Sequence, residues 1–543
     1  MLTPAVRDAA MRWITEDPEQ TTADELKAVL ARAMAGDDDA THELGQRMNG
    51  SLTFGTAGLR GPVRAGTNGM NVAVVLRTTA GLAAYLQANG HAGGTVIVGR
   101  DARHGSEAFF RAAAEVLAGA GFDVRVVPDP ASTPVTAYLV RALGAVAGVQ
   151  ITASHNPPQD NGYKVYLDQG AQIIPPADRA IEAAIEQAGP ARMVTRSTAY
   201  TEISQPELDG YVDRLVALPR GAARELRVVS TALHGVGAAT FAAAFQRAGF
   251  TEHHQVAEQA EPDPDFPTVV FPNPEEPGAA NRLLALAAEV DADLAVAFDP
   301  DGDRCALGVR DRDGSWRMLR GDEAGVLLGS YVLSTVDAPD PLVATSIVSS
   351  SMLGRIAEAH GARYTETLTG FKWLARAGDG LVFAYEEALG LCVDPDAVRD
   401  KDGASAAILA CDLAATLKAS GRSLLDALDD LSERHGVHLT DAVNVRYYDP
   451  KGAQLAMSDL RKRMPDHIGD LPVVVEDLLP RDNTLRFTGD GLRVLVRPSG
   501  TEPKLKIYLE VVQPVTDDLG SARLHADLRL TELRTAVDSL LAG

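Results

Sequence analysis

Cysteine is scarce in this chain. There are three, Cys305, Cys392 and Cys411, odd in number and scattered. That excludes a disulfide framework and a thiolate zinc site, and it suits a reducing compartment. Positive charge is short too: 51 Lys and Arg stand against 74 Asp and Glu, a formal net charge of −23. So acidic a chain is a poor partner for nucleic acid or an anionic membrane, and neither is expected. If the substrate is anionic, its site must reverse that field locally. No stretch approaches the roughly 18 apolar residues of a membrane span. The first twenty residues, "MLTPAVRDAAMRWITEDPEQ", hold no long apolar core, so no signal peptide is expected and a cytoplasmic location is. Low-complexity tracts, short-period repeats and a Walker loop are also missing.

What is present is a rhythm. At 543 residues the chain exceeds one core, and roughly three to five domains is the expectation. "GTVIVGRDAR" (94–103) reads as a buried strand ending in a polar loop, 104–121 as a helix, and "FDVRVVP" (122–128) as the next strand. The pattern returns at 226–250, 292–304 and 341–361. Strands alternating with helices predict α/β units around mainly parallel sheets, with the site on loops at strand C-terminal ends. Residues 1–47 read as helical and separate. The last hundred read as short strands followed by a final helix from about 520.

Several loops carry chemistry. "TASHNPPQDNGYKVY" (152–166) sets Ser154 beside His155 and Asn156, with Lys164 ten residues on. Its prolines and Asn-Gly predict a loop or tight turn, either a polar surface turn or a site. "FDPDGDRCALGV" (298–309) alternates Asp299, Asp301 and Asp303 at a strand end, followed by Arg304. Three converging carboxylates repel unless a cation sits among them. An EF-hand is excluded, because Arg304 and Arg310 occupy its Gly and Glu positions; hard oxygens with room for more suit Mg²⁺. "VRPSGTEPKLKIYLEV" (496–511) offers Arg497 as a planar fork and Ser499, Gly500 and Thr501 as a nest, either an anion cradle or a basic hairpin tip. "FGTAGLRGPV" (54–63) is a glycine-spaced loop with one guanidinium, Arg60. "TLTGFKWL" holds Lys372, and "AYEEALG" puts Glu386 and Glu387 at a strand end, where they suit sugar hydroxyls or a helix N-terminus.

Lysine usage adds weight. Only nine of the 51 basic residues are Lys, and Lys164, Lys372, Lys504 and Lys506 fall inside these motifs. Arg keeps its proton in a protein, whereas Lys can give it up.

In this order, "FGTAGLRG", "TASHNPPQDNGYK", "DPDGDR", "TGFKW", "EEALG" and "RPSGTEP" resemble the α-D-phosphohexomutase superfamily of phosphoglucomutases and phosphomannomutases. The resemblance spans about residues 50–510. "LTFGTAGLRGPV", the helical N-terminus and "FPNPEEPGA" (271–279) look most like its phosphoglucomutase-2/phosphopentomutase-type branch.

The resemblance implies a phosphosugar mutase that interconverts sugar 1-phosphate and 6-phosphate, of glucose or mannose, with a pentose phosphate or sugar-1,6-bisphosphate synthesis as alternatives. A metal-dependent sugar phosphatase and a catalytically silent sugar-phosphate binder are the rivals outside the class. The implied fold is α/β with four domains around a central cleft. Three are mixed-sheet α/β domains (1–205 with the N-terminal helices, 206–322, 323–440) and the last is a smaller α+β domain (441–543). Ser154 would carry the phosphoryl group, and it would hold Mg²⁺ with Asp299, Asp301 and Asp303. Lys164 would act as acid and base, and Arg304 would stand beside the metal. His155 and Asn156 would shape the loop and bind phosphate, with Arg60 orienting substrate. Lys372, Glu386 and Glu387 would meet the sugar, and Arg497, Ser499, Gly500 and Thr501 the far phosphate. A sugar bisphosphate such as glucose 1,6-bisphosphate would be the activator, and the protein a monomer or homodimer. Ala388 replaces the hydroxyl that other branches carry in "EEALG", which removes one sugar contact.

Overall fold

The inner strands are short apolar runs buried on both faces. Ala147–Ile151 (AGVQI) and Leu294–Phe298 (LAVAF) have no exposed residue. Such runs suit parallel strands covered by helices on each side. The computed structural model describes residues 2–55, 58–167, 169–449, 451–499 and 504–542, without the side chains of 539–542. The chain forms two units, Met1–Leu319 with Gly390–Thr416, and Arg320–Leu389 with Leu417–Gly543.

The first unit opens with three helices, Pro4–Glu16, Gln20–Met34 and Asp38–Met48, around a small core of Leu26, Leu30 and Leu44. Asp37 caps the third by accepting from Ala40 N at 2.9 Å, the expected use of Asp at a helix start. A seven-stranded sheet follows. Its middle is parallel: Thr95–Arg100 lies between Asp123–Val126 and Ala147–Ile151. Its flank is antiparallel: Asp160–Leu167 returns along Ala147–Ile151, and Leu59–Pro62 runs back along Asp160–Leu167. The second sheet repeats this plan. Leu294–Phe298 is parallel to Arg227–Thr231, and Cys305–Arg310 returns antiparallel beside it. In both sheets a candidate loop, 152–159 or 299–304, joins an inner parallel strand to its antiparallel neighbour.

This corrects two expectations. Lys164 is not on the serine loop, and Arg60 is not in a glycine loop; both sit in strands of the antiparallel flank. Asn161-Gly162, which reads as a turn, is strand interior. The Asn161 side chain is buried and donates to His104 O and Ser106 Oγ, both at 2.9 Å, so it has no need of a turn. A Cβ on Gly162 would stand 2.5 Å from Thr152 O and 2.6 Å from Leu59 O, so only glycine lets the neighbouring strands approach.

In the second unit, Leu342–Ser346 pairs in parallel with Arg363–Thr367 and with Leu381–Glu386. The C-terminal sheet is antiparallel throughout, in the order Val437–Arg446, Lys504–Gln513, Leu492–Pro498, Leu485–Gly489, Val474–Asp477. The helix Leu519–Ala542 follows it. The expected α/β sheets and the smaller antiparallel-sheet domain are thus both present.

A buried ion cluster sits within this second unit. Arg493 donates to Glu366 Oε1 at 2.8 Å, pairs with Glu510 Oε2 at 2.8 Å and also reaches Ser349 O. Glu510 accepts from Ser351 N at 2.7 Å and meets His438 Nδ1 at 3.1 Å. Burial would raise the Glu510 pKa, but Arg493 and His438 outweigh it and hold the group at about 2. Its contribution to stability is therefore complete above the ordinary glutamate pKa and is lost as pH falls through about 2. Arg493→Met leaves Glu510 buried without its main counter-charge. It is expected to cost about 3–5 kcal/mol in the unfolding of this unit, read from hydrogen exchange of the strand Lys504–Gln513. A loss under about 1 kcal/mol would mean that the cluster is not a stabilising contact.

Candidate active site

Ser154 is the first residue to explain. It is 1% exposed and adopts φ +55, a conformation L-residues avoid. Its N–H donates to Thr152 Oγ1 at 2.9 Å, and its Oγ donates to Asp299 Oδ2 at 3.0 Å. The nucleophile candidate on one sheet thus meets the acidic loop of the next.

Asp299, Asp301 and Asp303 are each 0% exposed. They present one oxygen apiece, all within 4.8 Å of one another. Lys164 reaches them from its strand, with Nζ 2.6 Å from Asp301 Oδ2 and 2.7 Å from Asp303 Oδ2. Thr133 Oγ1 donates to the same Asp301 oxygen at 2.6 Å. Arg304 N donates to Asp299 Oδ1 at 3.0 Å, and its side chain lies between Asp299 (3.8 Å) and Glu275 (3.7 Å).

The electrostatics follow from burial and pairing. Burial works against the Lys164 ammonium, but the two aspartates outweigh it and raise its pKa above the ordinary lysine value. Asp301 is pulled down despite burial by Lys164 and Thr133, and Asp303 by Lys164 and Lys401. Asp299 goes the other way: burial and its two acidic neighbours raise it well above the usual carboxylate range. Lys164, with Lys401 at Asp303, thus stabilises two of the three carboxylates, while the charge on Asp299 is left disfavoured. Among the described residues, the buried Asp301 Oδ1 and Asp303 Oδ1 receive no hydrogen bond. Hard oxygens, mutual repulsion and free lone pairs fit a divalent cation. His155 Nδ1 lies 3.3 Å from Ser154 Oγ. Burial and the guanidiniums of Arg304 and Arg60 push its pKa well below normal, so it is a neutral imidazole.

Arg60 and Asn156 meet at 3.4 Å on the same side of the loop, and the buried Arg60 Nε finds no acceptor among the described residues. Arg60 is brought there by Gly58 (φ +87), where a Cβ would stand 2.4 Å from Tyr163 O.

The second unit assembles its own group. Glu386 Oε1 accepts from Gly370 N at 2.7 Å, just before the helical turn Phe371–Leu374 that carries Lys372. Arg497 donates to Thr369 Oγ1 in the same loop. Glu387 Oε2 accepts from Ser346 Oγ and Ser349 Oγ, both at 3.1 Å. Ser499 N donates to Lys504 O at 2.8 Å; Gly500 and Thr501 lie outside the described residues.

Two cations at the serine site escape sequence reasoning. Lys401 Nζ is 3.4 Å from Asp303 Oδ2, and its only sequence signal is lysine rarity beside Asp400 and Asp402. Arg103, in the "GRDAR" read above only as a strand end, is 4% exposed and donates to carbonyls of the serine loop.

A buried serine against an acidic cluster on an α/β scaffold fits metal-assisted group transfer. The relatives make it particular. The four "Phosphoglucomutase/phosphomannomutase" domains match in order: alpha/beta/alpha domain I over residues 51–192, II over 209–314, III over 320–435, and the C-terminal domain over 443–516. A probable phosphomannomutase of Haemophilus influenzae is 39% identical over 81% of this chain and 93% of its own. A phosphopentomutase of Mus musculus is 35% identical over 97% and 93%. The crystal structure of a putative phosphomannomutase from Thermus thermophilus has a TM-score of 0.69 at 25% identity, over 89% of this chain and 99% of that one. The chain belongs to the phosphoglucomutase/phosphomannomutase family. It is an isomerase, an intramolecular phosphotransferase acting on small sugar phosphates. Among the described residues no helix is long and apolar enough to cross a membrane.

A cation and a proton compete for Asp299, whose pKa burial and its acidic neighbours raise. Affinity for Mg²⁺, measured by calorimetry, is therefore expected to rise with pH, with proton release. Asp301→Asn should weaken it at least about tenfold. Affinity indifferent to both pH and Asp301 would place the cation elsewhere.

Proposed function

We propose that Ser154 is the residue that gives and takes the phosphoryl group, and that the substrate is a hexose phosphate, of glucose or mannose. The observation that carries the reading is Ser154 Oγ buried against Asp299, in a cluster where Lys164 pairs with Asp301 and Asp303. Asp299, Asp301, Asp303 and a Ser154 phosphate oxygen would hold Mg²⁺. Bound there, the ion supplies positive charge to the oxygens of the transferring group.

The chain's own residues do the rest. The sugar hydroxyl oxygen bonds to phosphorus as the bond from phosphorus to Ser154 Oγ breaks. One proton leaves the hydroxyl and one arrives on Oγ, so the enzyme's proton count is unchanged. Lys164, kept protonated by its aspartates, gives a proton to Oγ as it takes up the one that leaves the sugar hydroxyl, and so serves as acid and base in the same transfer. His155, neutral, accepts or donates a hydrogen bond at Oγ without adding charge. Arg60 has a free Nε for a phosphate oxygen, with Asn156 beside it, and Arg304 offers a second guanidinium next to the serine.

In the second unit, Glu386, Glu387 and Lys372 orient the sugar, and Arg497 with Ser499, Gly500 and Thr501 takes the phosphate that is not reacting. The intermediate is a sugar bisphosphate that turns end for end, and a free sugar bisphosphate primes the serine. We place the protein in the cytoplasm, as a monomer or homodimer, with domains at 1–205, 206–322, 323–440 and 441–543.

A pentose phosphate is the second reading. It is favoured by Ala388, which removes a hydroxyl from the sugar loop, and by the length over which the Mus musculus phosphopentomutase aligns.

Two measurements decide these points. Peptide mass spectrometry should find one added phosphate on Ser154, and Ser154→Ala should lose at least about 10³-fold in kcat, as expected when a nucleophile is removed. Matched kcat/KM values for glucose, mannose and ribose 1-phosphate, with bisphosphate present, rank the substrates. A ribose value more than tenfold above both hexoses would replace the main reading with the second.

A further inference from the structure

Arg103 has no place in the mechanism above, yet it is among the most constrained side chains in the protein. A cation that is 4% exposed needs compensation on every face. Asp101 Oδ2 lies 3.4 Å from its Nε, and the ring of Phe266 lies 4.9 Å from the guanidinium carbon. The remaining donors go to main-chain carbonyls: Ser154 O and Asn156 O at 2.6 Å, Pro157 O at 2.8 Å and Asp160 O at 3.1 Å. All four acceptors belong to the serine loop or the first residue of the strand that leaves it.

That arrangement solves a specific problem. Ser154 at φ +55 is strained, and such conformations persist only where the surroundings over-determine them. The loop also has two prolines, and its own main-chain bonds hold only the Ala153 and Pro157 carbonyls, from Asn156 N and Asp160 N at 3.1 Å; among the described residues no backbone N–H reaches Ser154 O or Asn156 O. Arg103 grips the carbonyl of Ser154 itself, which fixes the peptide plane after the serine and so the direction in which Oγ leaves the backbone. Only a planar fork with five donors can span four acceptors; the ammonium of Lys is a single point.

We propose that Arg103 is a positioning residue for phosphoryl transfer: it clamps the serine loop so that Ser154 Oγ keeps one orientation whether or not it carries phosphate. Its effect falls on the chemical step rather than on substrate affinity, because it holds the nucleophile and not the sugar. The inference rests on Ser154 being the nucleophile.

The test compares wild type with Arg103→Lys, which keeps the charge and loses the fork. Each protein is labelled with glucose 1,6-bisphosphate, and single-turnover transfer to glucose 1-phosphate is followed by rapid quench. For Arg103→Lys we expect a transfer rate and kcat at least about 30-fold lower, KM within about threefold, and faster hydrogen exchange confined to residues 152–160. Phe266→Leu, which removes the stacked ring and none of the hydrogen bonds, should lower kcat about three- to tenfold at unchanged KM, and it carries the test if Arg103→Lys does not fold. Wild-type rates per folded molecule in Arg103→Lys would overturn the proposal, as would a loss borne by KM alone. If Arg103→Lys does not fold, wild-type kcat in Phe266→Leu overturns it. Wild-type protein that takes no label on Ser154 overturns the nucleophile reading first, and this inference with it.

Discussion

Three carboxylates packed together without solvent are the constraint on which this site depends. Asp299, Asp301 and Asp303 are fully buried and within 4.8 Å of one another, in a chain that already carries a net charge of −23. Left alone they would protonate or push apart. Lys164 meets two of them from its strand, Lys401 comes near from another segment, and Arg304 follows them on the same loop. The balance still falls short at Asp299, the carboxylate that touches Ser154, where burial and its neighbours favour a proton. That shortfall is what a cation relieves, and it lies at the atom where a phosphoryl group would arrive.

The sheets explain how such a cluster is assembled. Each of the first two sheets turns from parallel to antiparallel at its flank, and each candidate loop is the connection at that turn. The serine and its lysine therefore stand on different elements: Ser154 on the loop, Lys164 on the returning strand, opposite Gln150 of the strand that fed the loop. A strand is stiffer than a loop, so the amine that must stay among the carboxylates sits on the stiffer element. Glycine at 162 lets the flanking strand close on this region, and glycine at 58 brings in the segment that carries Arg60.

Much of this was legible in the sequence. Apolar runs with alternating helices marked the α/β units, because buried parallel strands have to be apolar on both faces. The Asp-x-Asp-x-Asp spacing marked three carboxylates that do converge and could hold a cation, because like charges at a strand end repel unless something compensates them. The misreadings have local causes. Asn161-Gly162 resembles a turn, and only the third dimension shows the buried partners of Asn161 and the crowding at Gly162. Arg103 and Lys401 were missed because their partners lie roughly 50 and 100 residues away in sequence, and no short motif encodes that distance. Lysine rarity pointed to Lys401 as much as to Lys164, but its neighbours Asp400 and Asp402 form no motif that would make it specific.

In the proposed mechanism every phosphoryl transfer passes through Ser154. The direct measurement is a pulse and chase with radiolabelled glucose 1,6-bisphosphate on the wild-type protein. Label should appear in the peptide containing Ser154 and leave it for unlabelled sugar monophosphate at a rate no slower than kcat. Label on another residue, or label on Ser154 that chases far more slowly than turnover, would contradict the account.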